Sequence, residues 1–535
     1  MVYPNGRRIN YDYGSDLSNT NAALDNAIGR LDAIVDGANS WDAGQVLEQY
    51  SYLGLSTIIA RNHPQTGINL TYLGSAGSIG SGGDQYVGLD RFGRVVDQNW
   101  LNTSTGQSVD NFTYSYDNNS NVTAENNLLD SAYSQSFTYD PLNRLVSSTL
   151  GGAANQSWTL DSQGNWSSFT SNGTTQTETA NAQNQITQSV TNNLSPVTLV
   201  YDANGNMTTD QAGNTYIYNA WNQLVSVSNS SGQIIAQYTY NAMGYSVTES
   251  YPQGGTGIPA GEIDYIYYDS QWQAIETRTN GTAASNVTSQ MVWSAAYING
   301  VVLQDITFSN TRIYFQQDAN WNTTAIMEYN SSTSTWDVVQ RYVYSPYGNI
   351  TILNADWSAN PTGTIPDVLN LYQGMQYDRV TGLYYDHARN YSTTLGTWTS
   401  QDPAGYINGA NTYQFVMSNP VNGLDPMGLW HWYNPWTWNW SWLPWAAKVA
   451  VDTAKQVPPG GEFCGVVEAS APLAKAGIFA NARHYYDQTH NINSATDPLY
   501  QGLNAIASGT PWQDLPPAEQ QAVQNWSQNA AKSFW

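Results

Sequence analysis

Along most of this chain apolar and polar residues alternate in short runs instead of recurring at helical spacing. In Gln237-Tyr238-Thr239-Tyr240, for example, both rings fall on one side of an extended strand. These runs are cut repeatedly by Asp or Asn followed within a few residues by Gly or a second Asn, the residues that accept the positive φ of a tight hairpin turn. The full unit reads aromatic, Asp or Asn, turn, Gly-Asn or Asn-Arg/Gln, apolar. Clear copies are Tyr116-Asp117, Tyr139-Asp140-Pro141-Leu142-Asn143-Arg144-Leu145, Tyr201-Asp202-Ala203-Asn204-Gly205-Asn206-Met207, Tyr218-Asn219-Ala220-Trp221-Asn222-Gln223-Leu224 and Tyr240-Asn241-Ala242-Met243-Gly244, with fainter copies starting at Leu160 and Ala180. Successive copies start 17 to 23 residues apart, which predicts one β-hairpin per unit. A lone hairpin is marginal in water, so the units must pair edge to edge, with tyrosine rings in ladders on one face. Strand twist then winds the sheet into a large spiral or barrel.

Composition narrows the function classes. A formal charge of -24 over 535 residues argues against nucleic acid or an anionic membrane surface as a partner of this β region. Cys464 is the only cysteine, which excludes an intrachain disulfide and a thiolate zinc site, and no cofactor or metal motif stands out. Residues after Met1 are polar and no run reaches transmembrane length. The chain also opens in mid-pattern, so it is expected to be a fragment without its own signal peptide, from an extracellular or cell-surface protein.

From Arg312 onward the pattern becomes a string of motifs: Tyr314-Phe315-Gln316-Gln317-Asp318, Arg341-Tyr342-Val343-Tyr344-Ser345-Pro346-Tyr347-Gly348, and Gly382-Leu383-Tyr384-Tyr385-Asp386-His387-Ala388-Arg389-Asn390-Tyr391. Two Asp-Pro-x-Gly tetrapeptides close it, Asp402-Pro403-Ala404-Gly405 and Asp425-Pro426-Met427-Gly428, the second followed by Leu429. Together with the Tyr-Asp units this resembles the Rhs family of YD-repeat proteins, which includes bacterial polymorphic toxins, the C components of insecticidal toxin complexes and, more distantly, teneurins. The resemblance covers roughly residues 1–429. It implies a mainly β fold whose hairpins wind into a hollow spiral shell, with 1–311 as repeat region, 312–429 as the Rhs-associated core and 430–535 as a variable C-terminal region. Gly29-Arg30-Leu31 and Gly93-Arg94-Val95 look like further turns of the same type.

The resemblance also implies a site. The paired aspartates would be Asp402 and Asp425, acting with Arg389 as a built-in aspartyl protease that cuts between Leu429 and Trp430. Two carboxylates held close cannot both ionise, so one stays protonated as acid while the other activates water. Taken singly, Asp-Pro-x-Gly is ordinary turn chemistry, because Pro presets φ and Gly accepts the left-handed corner.

Composition shifts abruptly beyond Leu429, where all four lysines and Cys464 lie. The Trp-rich run 430–445 reads as an interface-seeking segment or as a hydrophobic plug inside the shell's own lumen. Helical spacing returns at 446–455, 474–483 and 516–523, giving a small mainly α tail. Glu468, His484, Asp487 and His490 are loosely spaced candidates for a hydrolytic or metal cluster, though such spacing more often marks ordinary surface or capping residues. The expected partners are the chain's own C-terminal payload, an immunity protein, a secretion-system component or cell-surface glycans. Two other function classes fit the residues: a non-enzymatic glycan-binding adhesin, and a glycosidase with paired acids across a cleft.

Overall fold

The computed structural model describes residues 1–14, 22–37, 44–53, 56–72, 88–152, 154–360, 368–429 and 516–517. The Trp-rich run, the tail helices and the Glu468, His484, Asp487 and His490 set lie outside the described residues. By contacts the chain divides into two compact units, Met1–Thr437 and Trp438–Trp535. The fold described below is that of the first.

Its regular secondary structure is almost entirely antiparallel strand. A 15-stranded sheet runs from Ile9–Asp12 to Val197–Thr198, and a 14-stranded sheet from Val200–Tyr201 to Ile350–Asn354; in both, every strand bonds to its neighbours in sequence. A four-stranded sheet follows, built from Gln376–Tyr377, Tyr384–Asp386, Arg389–Ser392 and Thr397–Trp398. A seven-residue helix, Ala22–Ile28, is an addition that the alternating pattern did not foretell.

The repeat unit has a definite physical basis. Asp140 Oδ1 accepts the backbone N–H groups of Leu142 and Arg144 at 2.9 and 3.0 Å, and its Oδ2 accepts Arg144 Nε at 2.7 Å. Asp161 and Asp202 do the same with Asn165 and Asn206 as the fourth residue on. The residue between is left-handed in each turn: Asn143 at φ 61, Gly164 and Gly205 at φ 84. The strand pair beside each of these turns also carries a register shift, a β-bulge within a residue or two of the corner. Gly29 and Gly93 also take positive φ, at 65 and 77.

Neighbouring turns are stitched together. Asn165 Nδ2 donates to Asn184 Oδ1, and Asn206 Nδ2 to Asn222 Oδ1, both at 2.9 Å. At four turns the tyrosine ahead donates its hydroxyl to the carbonyl just past the preceding turn: Tyr116 to Val95, Tyr139 to Val122, Tyr240 to Leu224 and Tyr344 to Thr323, at 2.6 to 2.8 Å. The order Tyr then Asp is thereby explained, since the ring covers the sheet while the hydroxyl reaches back one unit. Each such bond contributes roughly 1 kcal/mol net, and leaving the buried carbonyl unpaired costs more.

The start of the first sheet packs on the end of the second. Trp100 Nε1 donates to Gln317 O at 2.9 Å, and the Arg61 guanidinium lies over the rings of Trp100 and Trp321. Arg7 pairs with both Asp36 and Asp305 at 2.8 Å, and Ser294 Oγ donates to Glu48 Oε2 at 2.6 Å. Trp100, Tyr50, Tyr314 and Phe315 are fully buried in the cluster that results.

The segment 368–429 then runs back across the turn ladder. Asn422 Oδ1 accepts Val122 N–H, Asn411 Nδ2 donates to Asn165 Oδ1, and the Tyr413 hydroxyl donates to Gly205 O, at 2.6 to 2.8 Å. A Cβ on Gly205 would stand 2.4 Å from Gln401 Nε2 and 2.6 Å from the Tyr413 hydroxyl, whereas one on Gly152, also at positive φ, would meet nothing within 4 Å. Gly152→Ala is therefore expected to incur only the left-handed penalty of about 1–2 kcal/mol, and Gly205→Ala clearly more. Hydrogen exchange is the suitable measurement, because a shell of this size opens locally, and the Gly205 variant should lose protection across 399–413.

Candidate active site

The short strand Arg389–Ser392 and the two Asp-Pro-x-Gly turns converge where the four-stranded sheet meets the ladder. Arg389 is 2% exposed, Asp425 2% and Asp402 7%. One guanidinium nitrogen, Arg389 Nη2, faces both acids, at 3.1 Å from Asp425 Oδ2 and 3.5 Å from Asp402 Oδ2. The remaining arginine donors are taken by Gly428 O at 2.5 Å and Thr412 O at 3.2 Å, and the guanidinium plane lies 4.3 Å from the Trp398 ring. Burial pulls Arg389 below its usual value, opposed by Asp425, Asp402 and Asp386, but a guanidinium starts so far above neutrality that it stays charged.

Local turn chemistry sets the carboxylates. Asp402 Oδ1 accepts Ala404 N–H at 2.8 Å and Gly405 N–H donates to Asp402 O, which closes the first turn, while Asp402 N–H ties it to Thr412 O. Asp425 Oδ1 accepts Leu429 N–H at 2.9 Å, closing the second directly onto Leu429. Asn408 Nδ2 donates to Asp402 Oδ2 at 3.0 Å and to the Leu429 carbonyl at 3.3 Å. Gly428, at φ 63, would place a Cβ 2.4 Å from Asp386 O, so only glycine lets the second turn sit this close to the strand end.

The structure thus brings Asp402, Asp425, Arg389 and Leu429 together; Trp430 lies outside the described residues. Four further residues belong to the assembly. Asn299, from the turn joining strands Val287–Trp293 and Val301–Ile306 of the second sheet, donates to Asp386 Oδ1 at 3.2 Å and to Pro426 O at 3.0 Å, and its Oδ1 accepts His387 Nε2–H at 2.9 Å. Burial, then the charge of Asp425, pushes the Asp386 carboxyl well above the usual carboxylate range. Sequence reasoning missed Asn299, Asp386, His387 and Asn408. Asp386 and His387 stood inside a quoted motif, but Asn299 is remote in sequence and Asn408 reads as a turn residue. Among the described residues no group of His, Cys, Asp and Glu is arranged to hold a metal ion.

Two long meandering antiparallel sheets, stitched turn to turn and crossed by a terminal segment bearing an Arg-centred acid pair, define a YD-type β-shell protein. The teneurin YD-shell family model matches residues 87–421, and the chain belongs to this YD-repeat (Rhs) family. The tRNA nuclease WapA of Bacillus subtilis (strain 168) is 28% identical over 386 residues, which are 69% of this chain and 15% of the relative. Toxin subunit YenC1 of Yersinia entomophaga is 37% identical over 95 residues, 18% of this chain and 9% of its own. The solved structure of TcdB2-TccC3 without its hypervariable C-terminal region is similar with a TM-score of 0.58 at 19% identity, covering 79% of this chain and 20% of that one. TcdB2-TccC3-Cdc42 gives a TM-score of 0.57 at 20% identity, covering 79% and 20%. These two structures speak to the fold. This chain spans a fifth or less of each of these four relatives.

Burial holds His387 down at about 4 from an ordinary value of 6.5. The unfolded chain therefore takes up a proton between those values while the folded chain does not, so His387 lowers stability as pH falls from 6.5 to about 4 and has no effect above 6.5. Against a His387→Asn variant, the wild type is expected to lose about 2–3 kcal/mol of relative stability over that window, read from hydrogen exchange at 385–391.

Proposed function

We propose that this protein is a toxin-type shell that carries its own C-terminal region as payload, cuts it free after Leu429 by an intramolecular aspartyl protease, and delivers it outside the producing cell. The supporting observation is that one guanidinium, Arg389, faces both Asp402 and Asp425, while the Leu429 N–H and carbonyl are held by Asp425 and Asn408. Leu429 is thus held on both sides, by the N–H of the peptide before it and by the carbonyl of the peptide to be cut, which places that carbonyl beside the paired acids. In this reading residues 430–535 are the payload, and an immunity protein and a secretion-system component are the partners it requires. An extracellular destination accords with the named relatives, two of which are described as a toxin subunit and a tRNA nuclease. No helix among the described residues is long and apolar enough to cross a membrane.

Intact-mass spectrometry of the purified chain tests this reading. Two fragments divided between Leu429 and Trp430 are expected from the wild type, and a single uncut chain from Asp402→Asn and from Asp425→Asn. An uncut wild type, or an Asp402→Asn variant still cut at that bond, would overturn it.

One observation favours a second reading, a surface module that binds glycans. A cavity of about 400 Å³ is lined by Trp272, Trp293 and Tyr268 beside Arg379 and Asp386. The Trp272 indole N–H and the Tyr268 hydroxyl are buried without a hydrogen-bond partner. Aromatic faces with unused donors suit a sugar ring. On a glycan array, saturable binding by the full chain that is lost in Trp272→Ala is the outcome expected of this reading, and no binding to any member sinks it.

A further inference from the structure

Hydrolysis needs a hydrogen-bond donor on the carbonyl of the cut bond, and the neighbourhood of Leu429 supplies an amide there beside the paired acids. Asn408 closes the short 3₁₀ turn Gly405–Asn408 that follows Asp402. Its side-chain amide spans the site, donating at 3.0 Å to Asp402 Oδ2 and at 3.3 Å to the Leu429 carbonyl oxygen.

The two aspartates are not equivalent in this geometry. Asp425 has one oxygen on the Leu429 N–H and the other on Arg389, so it grips the chain on the side that is kept. Asp402 instead borders a cavity of about 10 Å³, lined also by Asn408, Gly409, Asn411 and Thr412, which is about the room one water needs. Polar groups surround that space, so a water there has partners.

Resting on the self-cleavage reading, we infer that Asn408 is a catalytic residue, whose amide holds and polarises the Leu429 carbonyl for attack by a water that Asp402 activates. The water oxygen bonds to the Leu429 carbonyl carbon as Asp402 takes one of its protons. The carbonyl oxygen becomes an oxyanion that accepts the Asn408 N–H, which strengthens as charge develops. The bond to the Trp430 nitrogen then breaks, Asp402 returns the proton to that nitrogen, and the products are a carboxyl group on Leu429 and a free amine on Trp430. One water is consumed and nothing is oxidised or reduced. Asp425 and Arg389 keep the strand in register throughout.

The test is a cell-free synthesis time course of the full chain, read by intact mass. Asn408→Ala is expected to slow processing by about 100-fold, and Asn408→Gln, which keeps an N–H donor, to recover part of the loss. Hydrogen-exchange protection at 385–392 and 412–429 is expected to match that of the uncut Asp402→Asn chain. Asn408→Ala processed at the wild-type rate, or slowed together with lost protection at 412–429, would overturn the assignment, the latter showing a structural role. An uncut wild type removes the reaction itself and this role with it, whereas a cut wild type beside an unimpeded Asn408→Ala removes this role alone.

Discussion

Everything in this fold depends on satisfying the backbone at the hairpin corners. A meander of this length presents one corner per strand, and a corner without partners for its N–H groups is a place where the ladder frays. The chain answers with an Asp or Asn whose side chain binds two N–H groups of its own turn, as Asp140 does for Leu142 and Arg144. Because the fourth residue on reaches the same carboxylate and also the next turn, corners become a stacked column instead of a row of loose ends. Arg144 shows both contacts, one to Asp140 Oδ2 and one to Asp161 O.

That column is what the terminal segment is read against. Asn411, Tyr413 and Asn422 each bond to a different turn or strand start of the first two sheets, so the segment is held at several points spaced along the ladder. Rigid placement matters because the acid pair is assembled from pieces distant in sequence. Arg389 comes from a strand, Asp402 and Asp425 from two separate turns, and Asn299 from a turn of the second sheet. A shift of one unit in the ladder would separate them. This placement also reduces the local charge imbalance: three acids surround one buried guanidinium, and burial with the Asp425 charge pushes Asp386 toward its neutral form.

The same column explains which turn residues vary. Asn occupies the left-handed position at 143, 184 and 222, and Gly at 164 and 205. At 164 and 205 a Cβ would collide with Gln414, or with Gln401 and Tyr413. Asn satisfies φ, but only Gly satisfies both φ and close approach. At these two turns, contact with a segment roughly two hundred residues or more away therefore decides a local residue choice.

How much could be read in advance follows from the range of each interaction. Alternation, the Tyr-Asp order and turn residues act over a few positions, so the sequence alone determined an antiparallel meander of hairpins, the placement of its corners and the family resemblance that singled out Arg389, Asp402, Asp425 and Leu429. The reach of the tyrosine hydroxyl back to the preceding unit was not visible in the same letters, because a hydroxyl and a ring look alike in a hydrophobic pattern. Helix Ala22–Ile28 was missed for the opposite reason, being too short to establish a period. Only the tertiary structure decided that one guanidinium faces both aspartates, that Asn299 and His387 brace the second turn, and that Asn408 touches the Leu429 carbonyl. Those contacts join residues whose spacing along the chain carries no information about distance, and it is the folded ladder that sets them side by side.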